Sequence, residues 1–205
     1  MLGGFDVRLP PSAHTSRPWR IHEVAPDFRL EDVWALPTPG ERDDFPLLVR
    51  MVASLDPASS ASLPVRTLFA LREKLGALLR WDDPSTGIGE RVDSLRQRLP
   101  ADLRDTADAA FDSVPFDPLF LTGDEFAAET ANRTVHGVIH VGWVSDGDGY
   151  RGQLAILVKP NGLLGNAYMT AITPFRYLIV YPTLMREFGR AWQAALAADR
   201  ASRPA

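Results

Sequence analysis

The chain has 205 residues, of which 45% are hydrophobic and 23% charged, with no cysteine and a formal net charge of -4. That length suffices for one domain with a sizeable core, the composition argues against general disorder, and the mild negative charge offers no attraction to phosphate backbones, so nucleic acid is not an expected partner. The lack of cysteine excludes disulfides, thiolate metal sites and a cysteine nucleophile, and no run of signal-peptide or membrane-span length occurs, so no membrane span and a cytoplasmic location are expected.

Residues 1–18 are rich in Pro, Ser and Gly and read as a loose leader. The alternation in Trp19-Arg-Ile-His-Glu-Val24 predicts a first strand. Asp27 then reads as an N-cap, and Leu30, Val33 and Trp34 at helical spacing predict a short helix over 28–34, ending before Pro37. A second helix is predicted over 43–55 from Phe45, Leu48, Val49 and Val52, with Asp44 as cap and Pro46 near its start. A third, over 63–81, follows the stripe Leu68, Leu71, Leu75, Leu78 and Leu79 and stops at Asp82-Asp83-Pro84. Weakly apolar helices are expected at 91–98 and 101–111. From Phe116 the pattern turns to strands: a hairpin of 119–122 and 125–129 around Gly123-Asp124, a strand over 132–145, a turn at 146–149 and a strand over 150–160. A short helix at 163–172 and a strand at 175–181 follow. Pro182 then opens a long terminal helix with Leu184, Met185, Phe188, Trp192 and Leu196 on one face. The reading is α+β: a single domain over 19–198, with a disordered tail at 199–205.

The stretch Asn132-Arg-Thr-Val-His-Gly-Val-Ile-His-Val-Gly-Trp-Val-Ser145 holds two of the four histidines. On a helix His136 and His140 would sit one turn apart and could chelate. Its Val, Ile, Thr and Gly content favours a strand, where four residues of rise separate them by roughly 13 Å, too far for one zinc ion. No metal site is therefore expected, and no cofactor motif is present. Strand parity puts Val135, Ile139, Val141 and Trp143 on one face and His136, Val138 and His140 on the other. The first set reads as the more buried, which would turn the histidines outward; parity alone leaves the core face open.

Glu125 and Glu129 lie roughly 13 Å apart along one strand face, so they are not a glycosidase-like acid pair. One of the two could face a histidine across the sheet, where a Glu would orient that imidazole for general-base work, with Glu129 as the candidate partner, against the plainer reading of a surface cross-strand ion pair. Arg176 could bind a carboxylate or phosphate through its fork, or pair structurally with a sheet carboxylate. Trp143, Tyr168, Tyr181 and Met185 are candidates for lining a ligand cavity, against simple core packing. Asp146-Gly-Asp-Gly149 lacks the rest of a calcium loop and reads as a hairpin turn.

The order strand, helices, antiparallel meander, long terminal helix is that of the helix-grip architecture. Trp19-Arg-Ile-His-Glu, Pro26-Asp-Phe-Arg-Leu-Glu-Asp-Val-Trp-Ala-Leu-Pro37, Asn132-Arg-Thr-Val-His136, Gly142-Trp143, Tyr168-Met169, Pro174-Phe-Arg176, Val180-Tyr-Pro182 and Arg190-Ala-Trp192 resemble an uncharacterised bacterial family. It is a DUF2867-like domain of unknown function, grouped near the SRPBCC (START-like) superfamily. The resemblance implies a curved sheet packed on the C-terminal helix, with inserted helices after the first strand, and carries no assigned chemistry. Three functions are expected in this order. The first is a binding module holding a small apolar or amphipathic ligand between sheet and terminal helix. The second is an interaction or homodimerisation module using the helices at 28–34 and 68–79. The third is an enzyme in which His136 or His140, with Glu129 or Arg176, transfers a proton on a carbonyl-type substrate.

Overall fold

The computed structural model describes residues 8–54, 88, 92–107, 116–162 and 181–202. In chain order its helices and strands are α1 (Ser12–Thr15), α2 (Ile21–Val24), β1 (Arg29–Ala35), α3 (Phe45–Ala53), β2 (Asp117–Leu121), β3 (Glu125–Ala131), β4 (Val135–Asp146), β5 (Gly149–Pro160) and α4 (Tyr181–Ser202), with 3-10 turns at Arg42–Asp44, Leu95–Arg98 and Ala101–Leu103. The strands form one five-stranded antiparallel sheet in the order β1-β5-β4-β3-β2. Local chemistry fixes the meander. The turn between β4 and β5 is Gly147-Asp148, and Gly147 takes the left-handed φ of 59° that a tight hairpin needs. Between β3 and β4 the Asn132 side chain accepts the N–H groups of Thr134 and Val135 at 2.9 and 3.1 Å, a side-chain-closed turn.

Two of the expected elements change type. The segment expected to be a helix at 28–34 is strand β1, paired to β5 with a bulge between Leu30 and Asp32. The extra residue shifts parity, so Leu30 opposite Leu157 and Val33 opposite Ala155 share one face although three apart. A bulged strand thereby imitates helical spacing. The segment expected to be the first strand instead contains the short helix α2, because the N–H groups of Arg20 and Ile21 have another acceptor, the Glu125 carboxylate at 2.9 and 2.8 Å. Nor is the N-terminal segment loose from Arg8 onward: α1 buries His14, which is 1% exposed. The helix expected at 43–55 is α3, and in the described parts of those expected at 91–98 and 101–111 lie 3-10 turns over Leu95–Arg98 and Ala101–Leu103. Helix α4 runs to Ser202, into the segment read as a tail. The elements expected at 63–81 and 163–172 lie outside the described residues, as does the strand expected at 175–181 except for Tyr181, which opens α4.

Both sheet faces are covered, each by its own core. On one face Trp34, Phe126, Val141, Trp143 and Leu154 pack against α3 and against Met185, Phe188, Trp192 and Leu196 of α4. On the other, Ala127, Val138, Val144, Ala155 and Leu157 pack against Trp19, Ile21 and Val24 and against Leu95, Leu99 and Leu103 of the 3-10 turns. Asp27 clasps this second cover with Arg98 and Lys159 at 2.6 and 2.7 Å, and Arg20 adds Asp102 at 2.7 Å. The sheet edges are also occupied. Arg8 bridges to Trp34 on β1, with Leu9 N–H donating to Val33. Edge strand β2 contains Pro118, whose carbonyl accepts from Arg96.

Candidate functional site

Strand β4 carries Val141 and Trp143 toward α4 and carries His136, Val138 and His140 toward the N-terminal cover. The expectation that the histidines turn outward is therefore corrected: His136 is 4% and His140 0% exposed. His140 is covered by His14, from the segment read as a leader, and by Trp19, while Phe28 covers His136.

The antiparallel register then makes two equivalent pairs. Glu129 sits opposite Val138 and Glu125 opposite Gly142, so each glutamate meets the histidine two positions away along β4. Nε2 of His136 is 2.7 Å from Oε2 of Glu129, and Nε2 of His140 is 3.1 Å from Oε1 of Glu125. The second contact is off the hydrogen-bonding direction and acts electrostatically. Both glutamates are buried, so the reading of Glu129 as a surface ion pair is also corrected. Each staples the cover to the sheet. Glu125 accepts from the Arg20 and Ile21 backbone, while Glu129 accepts from Ser94 Oγ at 2.6 Å and from the Leu95 N–H at 3.1 Å. Burial pushes both carboxyls up, but the facing histidine and these donors together outweigh it and hold both below the ordinary range.

The pairs differ in what lies beyond them. The His136 ring is met edge-on by Phe28, with centroids 4.9 Å apart. His140 continues into a chain: its Nδ1 lies 3.1 Å from Nε2 of His14, whose Nδ1 lies 3.2 Å from Nε2 of His22. Every histidine of the sequence is thus on this face. Desolvation, with His140 and His22 nearby, lowers the His14 pKa to about 3; burial and His140 lower that of His22, against an opposing pull from Glu125. The inner imidazoles use their two nitrogens on different neighbours, so the chain is linear rather than convergent, and among the described residues no three side chains are arranged to hold a metal ion.

At its outer end the chain meets a cleft of about 320 Å³ lined by His14, Thr15, His22, Ala25, Pro26, Phe28, Leu30 and Leu157. From the register, Leu30 lies opposite Leu157 and Leu157 opposite Val138, so the floor falls between the rows of His136 and His140. Among the described residues no side chain of fixed charge lines it. Beside the chain, Trp19 packs on Gly142, where an added Cβ would lie 2.7 Å from the indole ring.

The candidates expected from sequence divide between the two faces. Trp143, Tyr181 and Met185 come together in the core under α4: Trp143 Nε1 donates to Glu41 O at 3.1 Å, and Tyr181 stacks on Trp34 and donates to Asp32 at 3.1 Å. His136, His140 and Glu129 lie across the sheet from them. Tyr168 and Arg176 lie outside the described residues. Missed were His14 and His22 and the assignment of Glu125 to His140 in particular, although a contact of one of the two glutamates with a histidine is among the expectations. The available signal was Glu-x-x-x-Glu facing His-x-x-x-His across a hairpin; nothing local connects His14 to a residue 126 positions away.

Fold and site together define an α+β protein whose antiparallel sheet is covered on both faces and carries a buried histidine chain that opens on a cleft. The chain belongs to the family described as "Protein of unknown function (DUF2867)", which matches residues 24–183. That span contains Glu125, Glu129, His136 and His140, and stops short of His14 and His22. No curated protein and no solved structure matches it. No helix among the described residues is long and apolar enough to cross a membrane.

Proposed function

We propose that the protein is a small-molecule binding protein of helix-grip (SRPBCC-like) architecture, and that its ligand occupies the cleft over Leu30 and Leu157. This moves the site from the sheet-helix interior expected from sequence to the opposite face. The antiparallel sheet with a 22-residue terminal helix on one side supports the architecture. One observation carries the ligand reading: the cleft has apolar walls of Ala25, Pro26, Phe28, Leu30 and Leu157, while Thr15 and the imidazoles of His14 and His22 are its polar lining, His14 with both nitrogens on neighbouring histidines. Both imidazoles have lowered pKa values and are neutral at pH 7. A ligand that enters already charged would leave water with no side chain of fixed opposite charge to receive it, so the fitting class enters the cleft uncharged and is amphipathic.

The test is NMR titration of the isotope-labelled chain with a panel of small uncharged aromatic alcohols and amides and one carboxylate matched to them. Shifts at Phe28, Leu30 and Leu157 with the uncharged compounds, weaker with the carboxylate, are expected. Shifts confined to Trp143 and Met185, or none from any compound, overturn the reading.

A further inference from the structure

Between the cleft and Glu125 the contacts are continuous: His22 Nε2 to His14 Nδ1 at 3.2 Å, His14 Nε2 to His140 Nδ1 at 3.1 Å, and His140 Nε2 to Glu125 Oε1 at 3.1 Å. A close approach of two ring nitrogens holds one proton, which fixes the tautomers from one end. Two backbone donors hold the Glu125 carboxylate as the anion, and its charge, 3.1 Å from Nε2 of His140 although off the hydrogen-bonding direction, favours the tautomer with the hydrogen on Nε2 and a lone pair on Nδ1. His14 must then carry its hydrogen on Nε2, and so must His22. The nitrogen left over is Nδ1 of His22, a lone pair with no protein partner among the described residues, on a residue lining the cleft.

We infer that His22, His14 and His140 form a proton-accepting relay backed by Glu125, and that the ligand is a weak neutral acid, a phenol or an enol, whose O–H gives its proton to Nδ1 of His22. This rests on the cleft being the ligand site. In the transfer the ligand O–H breaks and an N–H forms at Nδ1 of His22. The Nε2 hydrogen of His22 passes to Nδ1 of His14, and that of His14 passes to Nδ1 of His140. The products are an oxyanion in the cleft, which accepts from the new N–H at Nδ1 of His22, and an imidazolium at His140 against the Glu125 carboxylate. One O–H becomes one N–H, no electrons are exchanged, and no co-reactant is needed.

The environment favours this end point. A cation at His14 has only other imidazoles beside it, whereas at His140 it faces a carboxylate 3.1 Å away. Other charges packed around the chain are already engaged: the Arg20 guanidinium holds Asp102 and Glu23, and Arg17 lies over Trp19. From β5 the nearest polar group is Gln153, which is neutral and donates to Ala13 O. Net transfer to an imidazole suits acids about as strong as imidazolium itself, electron-poor phenols and acidic enols; ordinary phenols, aliphatic alcohols and amides are too weak to give it a proton.

The probe is 4-nitrophenol, whose phenolate absorbs where the phenol does not, added to the full chain in buffer below the phenol's own pKa. The phenolate band is expected to appear on binding to the wild-type protein. With H22Q the band should be lost while shifts at Phe28 and Leu157 persist. In case H22Q does not fold, nitrogen spectra of the labelled wild-type histidines provide the second readout: Nε2–H tautomers in the free protein, and Nδ1–H on His22 and His14 with an imidazolium at His140 once the probe is bound. A probe that shifts Phe28 and Leu157 but stays protonated, or histidines that keep their tautomers, overturns the relay and leaves the binding reading standing. No shift in the cleft from any compound overturns the binding reading itself.

Discussion

Glu125 joins the candidate site to the fold through one carboxylate, which receives the Arg20 and Ile21 N–H groups and faces His140. Removing one member of such a buried set leaves the others without partners. Glu125→Ala is therefore expected to destabilise the protein by about 3–5 kcal/mol, and Glu125→Gln, which keeps an acceptor, by about 1–2 kcal/mol. Urea denaturation measures both, and an Ala variant as stable as wild type would show that the N–H groups find other acceptors. The sequence made this residue half legible. Its position on a strand facing β4 follows from the hairpin pattern, as does the opportunity for a Glu-His contact. Its burial does not, because that depends on a cover supplied from residues 19–25, about a hundred positions earlier.

At the scale of elements, the parts read correctly were those whose signals are local: the hairpins around Gly123-Asp124 and Gly147-Asp148, helix α3 behind its proline, and the long amphipathic α4. Those misread were shaped by distant partners. The bulge of β1 exists only against β5, and the backbone donors of α2 are satisfied by β3. Docking of the cover is tight enough to be tested at a single glycine. At Gly142 a methyl group would sit 2.7 Å from Cη2 and Cζ2 of Trp19, with the rigid indole unable to bend aside. Gly142→Ala is expected to cost about 1–3 kcal/mol and to raise the exposure of Trp19. Denaturation together with quenching of tryptophan fluorescence measures this, and an unchanged quenching profile would mean that the cover tolerates the shift by moving as a unit.

For the whole molecule, the buried histidines and glutamates set the response to acid. The His14 pKa falls from 6.5 unfolded to about 3 folded, so between these values the unfolded chain binds more protons and stability rises with pH. The contribution is fully present above 6.5 and is lost as pH falls toward 3, on the order of a few kcal/mol. His22 acts in the same direction. Glu125 and Glu129, held below the ordinary carboxyl value of 4.5, add stability that is present above it and lost further into acid. Urea midpoints should therefore fall steadily as pH drops below 6.5, with a shallower slope for H14Q. A midpoint that stays level over that range would contradict the burial of a neutral His14.

The occupied sheet edges bear on how copies of this chain could associate. The backbone of β1 is met by Arg8 and Leu9, and β2 contains a proline that cannot donate and whose carbonyl is already taken by Arg96. Among the described residues both edges are interrupted, β1 at Val33 and Trp34 and β2 at Pro118, which works against strand addition and edge-to-edge aggregation. Self-association built from side chains on helical or loop surfaces meets no such obstacle, and it would be sensitive to point substitutions there in a way that backbone pairing is not.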